Sequence, residues 1–185
     1  DYIADTGAQV LLPLRDKIKV VIDEMFAKTE PVQQGPSQAE VEAAQQAQAE
    51  ILRLLDDIEK HKLRANVSLK PTQLGLKLDP QLAYENIRVV VQKAKSVGNF
   101  IRIDMEDHPT TDATLNIYRQ LRYTDKLDNV GVVIQSYLYR SESDIEQLIG
   151  DGARVRLCKG AYAEPAEVAY PQKADVDANY LNLSR

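Results

Sequence analysis

The sequence predicts an α/β fold: part of a (β/α)₈, TIM-like barrel with an N-terminal helical segment. After residue 65, four short runs of β-branched or aliphatic residues alternate with helix-patterned stretches. This order makes right-handed βαβ units with a parallel sheet. No G-x-G-x-x-G or P-loop motif follows any of the runs, which disfavours a dinucleotide-binding crevice. A complete barrel takes about 250 residues, whereas the chain has 185, so we expect an incomplete barrel.

The chain divides into two parts of different character. Residues 1–65 form a mainly helical segment, in which a capping box at residues 37–40 begins an amphipathic helix. Residues 29–35 have loop chemistry. Residues 18–22 fit either a short strand or one face of a helix, and we favour the helix. Residues 66–185 hold the β/α units.

The elements of the second part follow in order. The predicted strands are residues 67–69, 100–103, 130–134 and 154–157. The first helix between them begins at the cap Asp79 with Pro80 and ends at Gly98, the second begins at Thr110 or Thr111, and the third begins at the cap Ser141. Their predicted buried residues are Leu82, Val90, Ala94, Leu115, Tyr118, Leu121, Ile145, Leu148 and Ile149.

Composition excludes several classes of function. The formal net charge of -5 and the pI near 5.1 argue against a nucleic-acid partner. The single cysteine, Cys158, cannot form an internal disulfide, and no Cys/His cluster has metal-site spacing, so we expect no metal. We find no apolar run of the length that spans a bilayer, and residues 1–5 lack the basic region and the small-residue cleavage site that a signal peptide would show.

Polar residues follow each predicted strand. Lys70, Asp104, Gln135 and Arg156 stand at the carboxyl ends of the four strands, and residues 159–162 follow the last. In parallel barrels the carboxyl ends of the strands build the active site. A charge at such a position is costly unless it is paired, so these residues either pair with one another or face a ligand.

Each of these residues also has an ordinary explanation when it is taken alone. A strand-end Lys or Asp can be a solvated loop residue, Gln135 can satisfy backbone groups, and Tyr162 can pack in the core. His61 and His108 fit surface positions, and no Ser/His/Asp pattern recruits them. Four strands with the same polar ending favour one shared site.

Four motifs in order carry a resemblance to a known family. They are NVSLKPTQLGL (66–76), IRIDMED (101–107), VIQSYLYR (133–140) and RLCKGAY (156–162). Together they resemble proline dehydrogenase, particularly the bacterial monofunctional kind, over residues 66–183. The resemblance implies FAD-dependent oxidation of L-proline to Δ1-pyrroline-5-carboxylate by hydride transfer to flavin N5, the first step of proline catabolism. It also implies electron transfer to a quinone and a cytoplasmic enzyme that can associate peripherally with the inner membrane.

The resemblance assigns the cofactor side of the site. Arg156 matches the arginine beside flavin N5, and Gln135 matches the glutamine that hydrogen-bonds the isoalloxazine. Lys159, Gly160 and Ala161 match cofactor contacts. Positive charge and amide donors stabilise the negative charge that develops on a flavin during reduction, which agrees with these roles.

The substrate side is assigned in the same way. Lys70 matches the lysine near the substrate carboxylate, where a cation is needed. Asp104 matches an aspartate hydrogen-bonded in the site, which we place with both the catalytic and the cofactor residues. Tyr162 matches the aromatic residue that packs over the substrate ring. The catalytic set is therefore Lys70, Asp104, Arg156 and Tyr162.

The chain departs from the family at both ends. The family's first barrel strand has only a weak match at residues 22–24. Its later strands, the helix with paired arginines that hold the proline carboxylate, and a Phe-Ala-Thr-His segment that helps to hold FAD have no match. We therefore expect weak or no activity from the isolated 185 residues. Two alternatives stay open: a Schiff-base aldolase-like barrel that uses Lys70 or Lys159, and a non-catalytic fragment with residues 1–65 as a protein-binding arm.

Overall fold

The apolar runs of the sequence form a parallel sheet. The computed structural model describes residues 35–185, and within them the strands are β1 (Val67–Leu69), β2 (Ile101–Ile103), β3 (Val130–Gln135) and β4 (Val155–Cys158). All neighbouring strands are parallel, and their order in the sheet is β1-β2-β3-β4, the order of the chain. The predicted parallel α/β fold is confirmed, and the predicted strand boundaries agree with the structure to within one residue.

Helices precede, separate and follow the strands. They are α1 (Gln38–Lys60), α2 (Pro80–Ser96), α3 (Thr111–Arg119), α4 (Ser141–Gly150) and α5 (Lys173–Leu183). Short 3₁₀ turns lie at Pro71–Leu74 and His108–Thr110, and a π-helical turn, Gln120–Thr124, continues α3. Residues 36–185 group as one compact unit.

The capping box predicted for the first helix is present. Ser37 accepts a hydrogen bond from the Glu40 backbone N–H at 3.4 Å, and the Glu40 carboxylate accepts one from the Ser37 N–H at 2.9 Å. Ala44, Leu55 and Ile58 give α1 its buried side, as the helical spacing predicted. The helix assigned to residues 18–22 and the weak strand match at residues 22–24 lie outside the described residues.

Helix α2 begins and ends where the sequence indicates. The Asp79 side chain accepts a hydrogen bond from the Gln81 N–H at 2.8 Å, Pro80 occupies the first turn, and Gly98 adopts φ +69° just beyond the helix. A left-handed glycine after the last turn is the usual way for a helix to stop. Val90 and Ala94 are fully buried as predicted, whereas Leu82 is only partly buried.

The predicted caps of α3 and α4 are wrong in their chemistry. The Thr110 hydroxyl donates to the Asp107 carbonyl at 2.8 Å, and a 3₁₀ turn precedes α3 instead. Ser141 is the first residue of α4, and its hydroxyl donates to the Gln135 carbonyl at 2.5 Å. Ile149 is 72% exposed, because one residue along a helix turns the side chain about 100° away from the buried Leu148.

The two faces of the sheet differ, since one is apolar and the other carries several polar side chains. Its apolar face packs with the helices in one core, which includes Ile101, Val132, Val90, Leu115 and Leu148. Paired residues of parallel strands point to the same face, so the register places Ser68, Arg102 and Arg156 together on the other face. Polar side chains on the inner face are what the wall of an enzyme barrel requires.

Candidate active site

A pocket of about 310 Å³ lies at the carboxyl ends of all four strands. Its lining contains every site residue that the sequence predicted, namely Lys70, Asp104, Gln135, Arg156, Lys159, Gly160, Ala161 and Tyr162. The structure therefore brings the predicted residues together, while the role of each one stays a prediction.

Asp104 and Arg156 form the charged centre of the pocket. Arg156 Nη2 donates to Asp104 Oδ1 at 2.6 Å, and the Ser68 hydroxyl donates to the same oxygen at 3.1 Å. The side chain of Asp104 is 23% exposed and that of Arg156 is 49% exposed. Asp104 thus orients a guanidinium that lines the pocket and has further N–H donors beyond the one in this ion pair.

Gln135 is the buried amide of the site. The residue is 3% exposed, and its Nε2 donates to the Met105 carbonyl at 3.0 Å. Its Oε1 is buried and has no hydrogen-bond partner among the described residues. A buried acceptor without a partner is costly, so this oxygen is suited to receive an N–H group from a ligand in the pocket.

Residues 159–162 form one wall. Gly160 has φ +106°, and a Cβ added there would lie 2.5 Å from carbons of the Tyr137 ring. The Lys159 ammonium makes an ion pair with Asp177 of α5 at 2.6 Å. Tyr162 is 38% exposed, and partial burial together with the nearby Glu106 carboxylate raises the pKa of its phenol. This wall therefore offers the Lys159 cation, a backbone without a side chain at Gly160, and the neutral aromatic ring of Tyr162.

Lys70 stands apart from the charged centre. It directly follows β1, is exposed, and precedes the 3₁₀ turn that Pro71 begins. Within residues 35–185 we find no carboxylate paired with its ammonium group. Cys158 also lines the pocket, and burial raises the pKa of its thiol.

Two carboxylates at the site were missed by sequence reasoning. Glu106 stands inside the 101–107 motif and received no role there, yet it is 7% exposed and accepts hydrogen bonds from the Thr72 N–H at 2.9 Å and hydroxyl at 2.7 Å. Glu164 gave no signal, yet its side chain is 4% exposed and contacts His108 Nδ1 at 2.5 Å. His108, which was predicted to be a surface residue, keeps 36% of its side chain exposed, but the sequence did not predict its contact with a buried acid.

A larger groove of about 660 Å³ lies elsewhere, between α1 and the turn after β1. Its lining includes the apolar residues Ala43, Ala47, Ile51 and Leu54, with Glu40, Glu50 and Lys77 as its charged residues. We place the site in the smaller pocket because only there do a paired cation, a buried amide and strand-end groups converge.

No group of three His, Cys, Asp or Glu side chains within residues 35–185 could hold a metal ion. None of the helices described is both long and apolar enough to span a bilayer.

Comparisons with known proteins identify relatives of nearly the whole described region. A family model described as proline dehydrogenase matches residues 32–185. The chain is 40% identical over 144 residues to proline dehydrogenase 2 of Bacillus subtilis, and 42% identical over 137 residues to proline dehydrogenase of Deinococcus radiodurans. These alignments cover 78% and 72% of this chain but 47% and 44% of the relatives. The chain thus spans about half the length of the curated relatives it matches.

A solved structure supports the fold independently. The crystal structure of proline utilization A from Bdellovibrio bacteriovorus, inactivated by N-propargylglycine, superposes with a TM-score of 0.67 at 24% identity. The match covers 77% of this chain and 20% of that one. At this identity the likeness concerns the fold, and it agrees with the barrel-type α/β architecture predicted from the strand-helix order.

Proposed function

The chain belongs to the proline dehydrogenase family, and on that premise we propose that the protein containing it oxidises L-proline to Δ1-pyrroline-5-carboxylate with FAD. The observation that carries the proposal is the single pocket that collects all the strand-end residues matching the family's motifs. This reaction is the first step of proline catabolism.

The donor and acceptor groups of the pocket fit a flavin. The unpartnered Gln135 Oε1 can accept from a ring N–H, and Arg156 and Lys159 bring positive charge to the same wall. Asp104, Gly160 and Ala161 complete the set that would hold the cofactor. FAD, when bound, supplies an acceptor for the hydride that leaves the carbon next to the proline nitrogen.

The chain's own residues have defined tasks in this proposal. Asp104 fixes Arg156 by the 2.6 Å ion pair, so the guanidinium is in place before charge develops and no reorganisation is needed. Gln135 is held by its bond to Met105 and cannot turn away from the pocket. Arg156 therefore stabilises negative charge from a fixed position, and Gln135 Oε1 is held in place to accept a hydrogen bond from a ring N–H.

The substrate side rests on Lys70 and Tyr162. Lys70, which we find without a paired carboxylate in the described region, can attract the proline carboxylate. The Tyr162 ring provides an apolar surface for the pyrrolidine ring, and its raised pKa keeps the phenol neutral. Lys70 is also exposed to solvent. This disfavours a Schiff-base enzyme that uses Lys70, since an imine-forming lysine is activated by burial or by a neighbouring cation.

An absorption spectrum of the full-length protein that contains this chain tests the proposal. We expect flavin bands that bleach on addition of L-proline, and loss of the bands in Gln135→Leu. Gln92→Leu, on the exposed side of α2, is the matched control and keeps them. Absence of a flavin band refutes the proposal, and borohydride trapping of a carbonyl substrate on Lys70 or Lys159 would establish the aldolase-like alternative.

The electron acceptor and location form a separate part of the proposal. We propose that electrons pass to a quinone and that the protein is cytoplasmic with peripheral attachment to the inner membrane, supported by the family resemblance. The test reduces the protein with L-proline and follows flavin reoxidation by a soluble quinone and by quinone in lipid vesicles. Reoxidation by oxygen alone would contradict it.

A further inference from the structure

Glu164 is a buried carboxylate that joins three loops. Its side chain is only 4% exposed. One oxygen accepts from the His108 backbone N–H at 2.8 Å and from the Tyr137 hydroxyl at 3.2 Å, and the other lies 2.5 Å from His108 Nδ1. His108 follows β2, Tyr137 follows β3 and Glu164 follows β4, so one side chain connects the loops after three consecutive strands.

This carboxylate is too well paired to be an incidental surface group. A buried carboxylate costs several kcal/mol unless donors surround it, and here the donors come from two other loops. Burial and the negative charge of Glu164 raise the pKa of Tyr137, so the phenol stays protonated and keeps its hydroxyl as a donor. The hydrogen bonds of Glu164, His108 and Tyr137 therefore depend on one another, and removing one of these side chains leaves a buried polar group without its partner.

The same unit holds the wall of the pocket. Glu164 lies two residues beyond Tyr162, and the Tyr137 N–H donates to the Lys159 carbonyl at 3.0 Å. The Tyr137 ring fills the space beside Gly160, where a Cβ would have to go. Residues 159–162 are thus fixed at one end by Tyr137 and at the other by Glu164, while their inner side lines the pocket.

We propose that Glu164 is a positioning residue, which ties residues 159–162 to the loops after β2 and β3 and so sets the place of the groups that face the cofactor and the substrate. The functional half of this proposal rests on the proposed function, because it concerns the same pocket. The structural half concerns only the loops and is tested separately.

The first measurement is amide hydrogen exchange on Glu164→Gln, which keeps the side-chain volume and removes the charge. We expect exchange of residues 159–163 to accelerate about tenfold or more, the loss expected for one buried hydrogen bond, with α2 unchanged. Glu167→Gln is the matched control, since Glu167 is an exposed glutamate on the same segment. Uniform acceleration over the whole protein, or none, overturns the proposal.

The second measurement is the FAD dissociation constant and the KM for L-proline of the full-length protein. Glu164→Gln is expected to raise the dissociation constant by about tenfold at a temperature where the fold is intact, and Glu167→Gln is not. A purely structural role would lower the melting temperature and leave the dissociation constant unchanged, which overturns the functional half.

Tyr137→Phe supplies a second variant if Glu164→Gln does not fold. It removes one hydroxyl and keeps the ring against Gly160, so we expect a smaller effect of the same kind. In the double variant the two losses should be less than additive, because both break the same contact; full additivity would contradict the coupling. If the parent protein binds no flavin, the proposed function fails and the exchange pattern alone decides whether Glu164 positions the loop.

Discussion

Replacing Gly160 by alanine perturbs the pocket wall at a point where two independent costs can be calculated. The first is conformational: φ +106° is a backbone region that L-residues rarely adopt, and such strain costs about 1–3 kcal/mol. The second is steric, since the new Cβ would lie 2.5 Å from carbons of the Tyr137 ring. Tyr137 is 7% exposed and hydrogen-bonded, so it cannot easily move, and overpacking of this kind costs about 1–3 kcal/mol.

We therefore expect Gly160→Ala to lower the free energy of unfolding by about 2–6 kcal/mol, measured by urea unfolding. Gly98→Ala is the control, because Gly98 has φ +69° but no atom within 4 Å of an added Cβ. It carries the conformational cost alone, about 1–2 kcal/mol.

The comparison separates the two costs. In a Tyr137→Ala background the penalty of Gly160→Ala should fall toward that of Gly98→Ala, since the ring that creates the clash has gone. Equal penalties for Gly160→Ala and Gly98→Ala in the parent protein would refute the steric part of the reasoning.

Three further predictions follow from the pocket and its supports. Arg156→Met should lower kcat for L-proline by about 100-fold in steady-state assays of the full-length protein, and a change within twofold would exclude its proposed role. Thr72→Val should destabilise the fold by about 1–3 kcal/mol in urea unfolding, because it removes a donor from the buried Glu106 carboxylate, whereas Thr72→Ser should not. The Lys77 ammonium holds the pKa of Asp107 below its ordinary value, so this carboxylate stabilises the fold above the unfolded pKa and the contribution is lost as pH falls through the folded one. The stability difference between parent and Asp107→Asn should accordingly be full near pH 7, begin to shrink as the pH falls below about 4, and disappear only below the lowered pKa of Asp107. A difference that stays constant through this whole range would contradict the assignment.

The sequence was sufficient to predict the strands and the residues that end them. A parallel sheet buried on its helical face requires apolar runs, and the functional groups of a barrel must come at the strand ends, so Lys70, Asp104, Gln135 and Arg156 could be grouped before any coordinates. The Asp79 cap and the end of the helix at Gly98 could also be predicted, because both depend on residues close together in the chain.

What the sequence did not predict depends on contacts between distant residues. The partner of His108 is Glu164, 56 positions away, and nothing in the local pattern of either residue indicates that they meet. Serine is a typical residue for the start of a helix, but the Ser141 hydroxyl donates a hydrogen bond to the Gln135 carbonyl and does not cap the helix. Ile149 was placed in the core because adjacent apolar residues do not show which one faces the sheet, and the burial of Leu148 decides it.

The strand order has a consequence for how the chain folds. Among the described strands, β2, β3 and β4 each pair with the strand just before them in the chain, so each of them finds its neighbour already synthesised. Each new β/α unit can dock on an edge that already exists, which keeps the entropy of loop closure small at every step. During synthesis, where N-terminal segments fold first, β1 and β2 can form a template before β4 and the residues of the pocket wall have been made.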